Sequence, residues 1–143
     1  MLVETNWHGK MSLVAGDESG NTFKMDASPK VGGEGKGLSP MAALLGSLSG
    51  CISMDTLAML RRFVSKDQIQ SFRVEADGTQ NDEHPKYFTD IEITLYVDGD
   101  VPVERVWGAL RKSEQDYCSV RNSLKSNVTL KVVLNGEDVP ETK

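Results

Sequence analysis

The residues of this chain best suited to chemistry are its two cysteines, Cys51 and Cys118. A thiolate is both a nucleophile and a metal ligand, so a cysteine pair can support redox chemistry or metal binding. Cys118 follows Cys51 by 67 positions, which excludes a CxxC redox motif and a local zinc knuckle. A four-ligand zinc site would need both cysteines with His8 and His84, the only histidines, and a Cys-His protease would need one of these histidines as its base; no pattern supports either role.

Cys51 lies deep within a predicted helix, where a cysteine is also consistent with a small apolar core residue. Asp55 follows one helical turn later, so we expect its carboxylate to face Cys51 and to disfavour the thiolate. The residues by themselves predict a helix-borne cysteine and leave open whether it reacts.

The helix that carries Cys51 is predicted from Met41 to about Val64. Ser39 can cap its free N–H groups, and Pro40 suits the first helical position. Gly46 and Gly50 lie one turn apart, and each helical glycine costs roughly 1 kcal/mol relative to alanine. We therefore expect the backbone of another segment to pack closely there, as on a central helix with more than one covered side.

The other elements are predicted from alternation and turn signals, and they indicate a single α+β domain over residues 1–143. A glycine-rich loop at 28–38 lacks the GxxxxGK[ST] order of phosphate loops and is expected to be a flexible connector. The further elements are extended segments at 1–9 and 10–26 around a turn at 16–21, a hairpin containing 72–76 and 91–97, a helix from Pro102, a short helix from Tyr117 towards Leu124, a strand at 128–132, and a frayed tail at 135–143.

Composition excludes several classes of function. The 143 residues carry a net charge of −5 and no basic run, which argues against nucleic-acid binding. The first ten residues do not resemble a secretory signal, and the apolar stretch 38–60 contains too many Ser, Thr, Gly and Pro residues for an efficient membrane span. Two cysteines are too few for a disulfide framework. We expect a cytoplasmic protein without a membrane partner.

The segments around both cysteines resemble those of the OsmC/Ohr family. Gly35–Pro40 (GKGLSP), followed by an apolar run into Gly50–Asp55 (GCISMD), is similar to the central-helix motif of that family. Tyr117–Val120 (YCSV) is similar to its second cysteine site. The order and spacing agree from about residue 5 to residue 134. Resemblance to the YhfA-like branch comes from Trp7 with Gly9, Ser19-Gly20, Met25-Asp26 and Phe88–Ile91.

The resemblance implies a fold and an activity. It implies an intertwined homodimer in which antiparallel sheets wrap around two central helices packed back to back, with Cys51 and Cys118 close together near the interface. In characterised members the first cysteine reduces an organic hydroperoxide and becomes a sulfenic acid, which the second cysteine converts to a disulfide. A dithiol reductant then restores both thiols. No cofactor or metal is expected.

Two departures from the family pattern concern the groups that activate the first cysteine. The hydroperoxidases place a glutamate ten residues before that cysteine, where this chain has Met41. They also use an arginine of the N-terminal segment, whereas the first arginine here is Arg61 and the nearest basic residue is Lys10. Lysine cannot copy the planar fork of arginine. The alternative is therefore a non-catalytic protein that senses redox state or binds a small apolar ligand.

Overall fold

The computed structural model describes residues 1–142, in which seven β-strands and three α-helices confirm the α+β class. The chain divides into two compact units, Met1–Leu44 and the residues from Leu45 onwards. The division does not follow a break in secondary structure, because one long helix continues from the first unit into the second. A single domain over 1–143 stays a prediction.

The first unit contains a three-stranded antiparallel sheet. Its strands β1 (Val3–Trp7), β2 (Leu13–Asp17) and β3 (Thr22–Met25) pair in that order. The carboxylate of Asp17 accepts hydrogen bonds from the backbone N–H groups of Ser19 and Asn21, which closes the turn between β2 and β3. Both predicted extended segments and their turn are confirmed.

Buried Asp26 organises the glycine-rich loop that follows β3. One carboxylate oxygen accepts the N–H of Ala27, and the other accepts the N–H groups of Glu34 and Lys36. Burial acts to raise the pKa of Asp26, but these backbone donors outweigh it and the pKa is lowered. The ionised side chain of Asp26 therefore stabilises the conformation of this loop.

The long helix, α1 (Pro40–Leu60), begins where the sequence predicts and ends four residues earlier than Val64. The hydroxyl of Ser39 accepts the N–H of Ala42 and caps its first turn. By length and composition alone α1 could cross a membrane, a test that core helices of soluble proteins also pass. Its fully buried side chains recur every fourth residue and form one narrow stripe: Leu48, Ile52, Thr56 and Leu60.

The second unit contains a four-stranded sheet in the order β4-β5-β6-β7. Strands β4 (Ile69–Gln80) and β5 (Phe88–Gly99) form the predicted antiparallel hairpin. Strand β5 supplies the centre of the core, because Ile91, Ile93, Leu95 and Val97 are all buried. These are the alternating positions from which the strand was predicted.

Two features at the end of the chain differ from expectation. Strand β6 (Asn127–Leu134) pairs with β5 in parallel, because the long connection between them crosses over and returns in the same direction. Strand β7 (Glu137–Val139) pairs with β6, so the expected frayed tail is wrong for these residues; Lys143 lies outside the described residues. A two-residue Asn135-Gly136 turn makes this hairpin, with φ of 52° and 82°.

The crossover between β5 and β6 carries the remaining helices. Helix α2 (Val103–Lys112) follows Pro102 as predicted, and a π-helical turn (Ser113–Tyr117) extends it. A single-turn helix, α3 (Ser119–Asn122), begins directly after Cys118. The indole N–H of Trp107 on α2 donates to the carbonyl of Val139 at 3.1 Å, which ties the crossover to β7.

Candidate active site

Cys51 and Cys118 lie side by side in the second unit. The two Sγ atoms and a carboxylate oxygen of Asp55 are all within 4.8 Å of one another. Both cysteines are free thiols. The structure therefore shows that the two cysteines are close together, which the sequence indicated only through the family resemblance.

Helix α1 supplies two of the three groups. Cys51 and Asp55 are four residues apart, so one helical turn places both on the same side of α1. Both side chains are half-buried, whereas Ile52 between them is fully buried. The expectation that the Asp55 carboxylate faces Cys51 is confirmed.

The π-helical turn supplies the third group and holds the carboxylate. The N–H of Cys118 donates to the carbonyl of Ser113 at 2.7 Å, a bond that spans five residues. The hydroxyl of buried Ser113 donates to Asp55 Oδ2 at 3.1 Å. One wide turn thus directs both Ser113 and Cys118 towards α1, in keeping with the frequent use of π turns at functional sites. Sequence reasoning missed Ser113, and a lone serine before Cys118 gave no usable signal.

The thiol of Cys118 is fully buried and caps helix α3. Its Sγ accepts the backbone N–H of Arg121 at 3.3 Å. Burial raises the pKa of Cys118 to about 11; the Arg121 N–H opposes this, whereas the Cys51 sulfur and the Asp55 carboxylate add to it. Cys118 consequently keeps its proton at neutral pH.

An ion pair fixes the backbone around Cys118. The guanidinium of Arg121 donates to Glu114 at 2.7 Å, and both side chains are largely buried, with 23% and 13% of their surface exposed. A pair so shielded from water is held more firmly than a surface salt bridge. The ion pair joins the π-helical turn to α3 and so fixes the position of the Arg121 N–H group that donates to Cys118 Sγ. Sequence reasoning did not identify this pair.

A pocket of about 570 Å³ is lined mainly by residues of α1 and α2 and includes neither cysteine in its lining. Asp55 lines it, so the pocket reaches the cysteine cluster. Its wall includes the apolar side chains of Met59 and Phe63, and the guanidinium of Arg105 stacks 3.8 Å above the Phe63 ring. Charged side chains, among them Arg62 and Lys112, also border the pocket, so its lining suits a molecule with both an apolar and a polar part.

The family comparison covers both cysteines. The model of the OsmC-like protein family matches residues 33–133, which include Cys51, Asp55, Ser113 and Cys118. The chain belongs to the OsmC-like family. Assignment to the YhfA-like branch stays a prediction. No match is found among curated proteins.

Solved structures share the OsmC-like fold over nearly the whole chain. A hypothetical protein from Aquifex aeolicus is 24% identical, with 93% of this chain and 94% of that chain covered and a TM-score of 0.78. An OsmC-like protein of unknown function from Vibrio cholerae is 14% identical, with coverage of 92% and 97% and a TM-score of 0.75. An organic hydroperoxide resistance protein described as putative, also from Vibrio cholerae, is 15% identical, with coverage of 97% and 94% and a TM-score of 0.61. At these identities the likeness shows the fold.

Proposed function

We propose that this OsmC-like protein reduces organic hydroperoxides, with Cys51 as the attacking cysteine and Cys118 as the resolving one. The observation that carries the proposal is the pair of free thiols within 4.8 Å of each other. Family members named organic hydroperoxide resistance proteins share the fold and make this chemistry the first to test.

Burial supports the division of roles between the two thiols. Cys51 is half-buried, whereas Cys118 is fully buried and has a pKa raised to about 11 by that burial. A peroxide must reach the attacking sulfur, and only a thiolate attacks it. Cys51 therefore meets the peroxide, and Cys118 waits as a protonated thiol beside it.

The reaction balances with the groups present and one external reductant. The Cys51 thiolate attacks the terminal peroxide oxygen, the O–O bond breaks, and the alkoxide takes a proton, leaving an alcohol and a Cys51 sulfenic acid. The Cys118 sulfur then attacks the sulfenic sulfur, which forms the disulfide and releases water. A dithiol reductant exchanges with this disulfide and restores both thiols.

We also propose the homodimer that the family resemblance implies, in the cytoplasm, where thiols are kept reduced. Helix α1 supports the dimer because only four of its 21 residues are buried within the chain and Met54 is 74% exposed. A Cβ atom added at Gly46 or Gly50 would meet nothing within 4 Å in the described part of the chain, apart from the backbone of α1 itself. A second copy of α1 fits this open face.

A second candidate function is redox sensing or binding of a small apolar ligand without turnover. The Asp55 carboxylate favours it, because a negative charge within 4.8 Å of both sulfurs disfavours a thiolate. The glutamate and arginine of the family hydroperoxidases are also replaced or missing, since Met41 stands at the first position and no arginine precedes Arg61.

A thiol count separates the two candidates. Reduced protein is mixed with one equivalent of cumene hydroperoxide, and free thiols are counted against time. The peroxidase proposal expects prompt loss of two thiols per chain and an intrachain Cys51–Cys118 disulfide by mass. Cys118→Ser should instead stop at a sulfenic acid that dimedone traps, and Cys51→Ser should not react.

Other outcomes would reject the peroxidase. Two thiols that persist for many minutes favour the second candidate. Turnover with a dithiol that is unchanged in Cys51→Ser rejects Cys51 as the attacking residue without favouring the second candidate. Saturable turnover with a catalytic efficiency above about 10⁴ M⁻¹s⁻¹ would exclude the second candidate instead.

A further inference from the structure

We infer that Cys51, Asp55 and Cys118 together form a binding site for a thiophilic divalent cation such as Zn²⁺. The donor set is two thiolate sulfurs and one carboxylate oxygen, drawn from α1 and from the start of α3. The inference does not depend on the proposed peroxidase, because it requires only that both thiols be reduced.

The spacing of the three donor atoms suits one ion. Zn²⁺ binds thiolate sulfur at about 2.3 Å and carboxylate oxygen at about 2.0–2.2 Å. Two sulfurs on a tetrahedral ion with these bond lengths stand about 3.8 Å apart. The donors already lie within 4.8 Å of one another, so small side-chain rotations complete the geometry. Three protein ligands leave a fourth position for water.

Neighbouring groups already orient two of the ligands. Ser113 donates to Asp55 Oδ2 at 3.1 Å, which holds the carboxylate and leaves its other oxygen for the ion. The Arg121 N–H points at Cys118 Sγ and favours the thiolate form that a metal requires. Such outer hydrogen bonds to metal ligands are a regular part of metal sites.

Charge explains why an ion would be favourable here. A carboxylate and two thiolates packed this closely would repel one another, and the cost of ionising both thiols without an ion is greater because Cys118 is fully buried. A divalent cation offsets that repulsion, releasing two thiol protons and transferring no electrons. Sulfur donors select Zn²⁺ and similar ions over Mg²⁺ and Ca²⁺. An ion held by both sulfurs would also prevent their oxidation to a disulfide.

Cobalt reports thiolate ligation directly, so Co²⁺ is the first probe. Reduced, metal-free full-length protein is titrated with Co²⁺ under anaerobic conditions, and the thiolate-to-cobalt charge-transfer band is followed; Zn²⁺ is then added. We expect saturation at one ion per chain, displacement of Co²⁺ by Zn²⁺, and release of two protons for each Zn²⁺ bound.

Variants test each ligand. Asp55→Asn preserves the size of the side chain and should weaken Zn²⁺ binding by about tenfold or more. Cys51→Ser should weaken binding further and reduce the charge-transfer band. The control is Asp116→Asn, which removes an exposed carboxylate two residues before Cys118 and should leave the affinity unchanged. Thermal unfolding without metal shows whether each variant is folded.

Two results would overturn the inference: the absence of a charge-transfer band in the reduced protein, or a Zn²⁺ affinity that Asp55→Asn and Asp116→Asn alter equally. Neither result bears on the peroxidase proposal, which the metal-free thiol count tests. Conversely, unreactive thiols that bind Co²⁺ with the expected band would support the metal site while rejecting the peroxidase.

Discussion

The buried thiol of Cys118 leads to a prediction about its titration. The pKa of Cys118 is raised to about 11, chiefly by burial and with contributions from the Cys51 sulfur and the Asp55 carboxylate. In a Cys51→Ser variant the sulfur's contribution is lost, but burial and Asp55 remain. We therefore expect Cys118 in this variant to titrate well above the ordinary cysteine value of about 8.5.

The contribution of Asp55 can be bounded from its distance. The two groups lie at most 4.8 Å apart, and at that separation two unit charges repel by about 0.9 kcal/mol in bulk water and by about 3.5 kcal/mol at an effective dielectric of 20. The smaller figure corresponds to a change of about 0.6 pH units in the titration midpoint. Because Asp55 is the weakest of the causes that raise this pKa, we expect Asp55→Asn to lower the midpoint by an amount near that figure.

The assay is an NMR titration of isotope-labelled cysteine, in which the Cβ chemical shift follows the thiol without interference from tyrosine. Cys51→Ser is compared with Cys51→Ser/Asp55→Asn and, as the control, Cys51→Ser/Asp116→Asn. A Cys118 midpoint near 8.5 would refute the argument that burial keeps this thiol protonated. Equal midpoints for the two double variants would refute the role of the Asp55 charge.

The proton on the Cys118 thiol also affects the stability of the protein against unfolding. The folded protein holds the Cys118 proton more tightly than the unfolded chain does, because the folded-state pKa is raised. The contribution is therefore complete below the ordinary thiol pKa of about 8.5 and is lost as the pH rises through about 11. Denaturant unfolding of the reduced protein should show this alkaline fall, and Cys118→Ser should reduce it.

Further predictions concern packing and the loop after β3. Ile52→Ala empties a fully buried position and should lower the free energy of unfolding by about 2–5 kcal/mol, whereas Val31→Ala, at an exposed position outside α1, should change it by less than about 0.5 kcal/mol; urea unfolding measures both. Gly99→Ala should lower the melting temperature, since φ is 134° and the new Cβ would stand 1.9 Å from a carbonyl oxygen. The pKa of Asp26 is lowered in the folded protein, so the ionised carboxylate stabilises the loop fully above about pH 3.9. This stabilisation is lost as the pH falls through the folded-state pKa of Asp26, and hydrogen exchange of the Lys36 N–H should become faster in that pH range.

Local patterns predicted most of the elements because their causes lie within a few residues. Alternation along β5 marks its buried side chains, and Ser39 with Pro40 marks the start of α1. The Asn135-Gly136 turn before β7 was an equally local signal that sequence reasoning passed over. The parallel direction of β6 has no such signal, since it depends on the path of the whole crossover.

The features of the candidate site likewise include some that local sequence patterns predicted and some that they did not. A four-residue helical spacing predicted that Asp55 would face Cys51. The approach of Cys118 depends on how α1 and the crossover pack, and it was available only from the family resemblance. The π-helical turn that places Ser113 on Asp55 depends on one hydrogen bond spanning five residues, which no sequence pattern indicated.

A long stretch of chain separates Cys51 from Cys118, so oxidation of these two cysteines to a disulfide would make the protein more resistant to unfolding. A Cys51–Cys118 bond would close a loop that includes the β4–β5 hairpin and all of α2. In the chain-entropy treatment, a cross-link between two residues 67 positions apart restricts the unfolded chain. It thereby stabilises the fold by about 4 kcal/mol at 25 °C. Oxidation to the disulfide would then give a form of the protein that resists unfolding, and a reductant would return it to the dithiol form, which unfolds more easily.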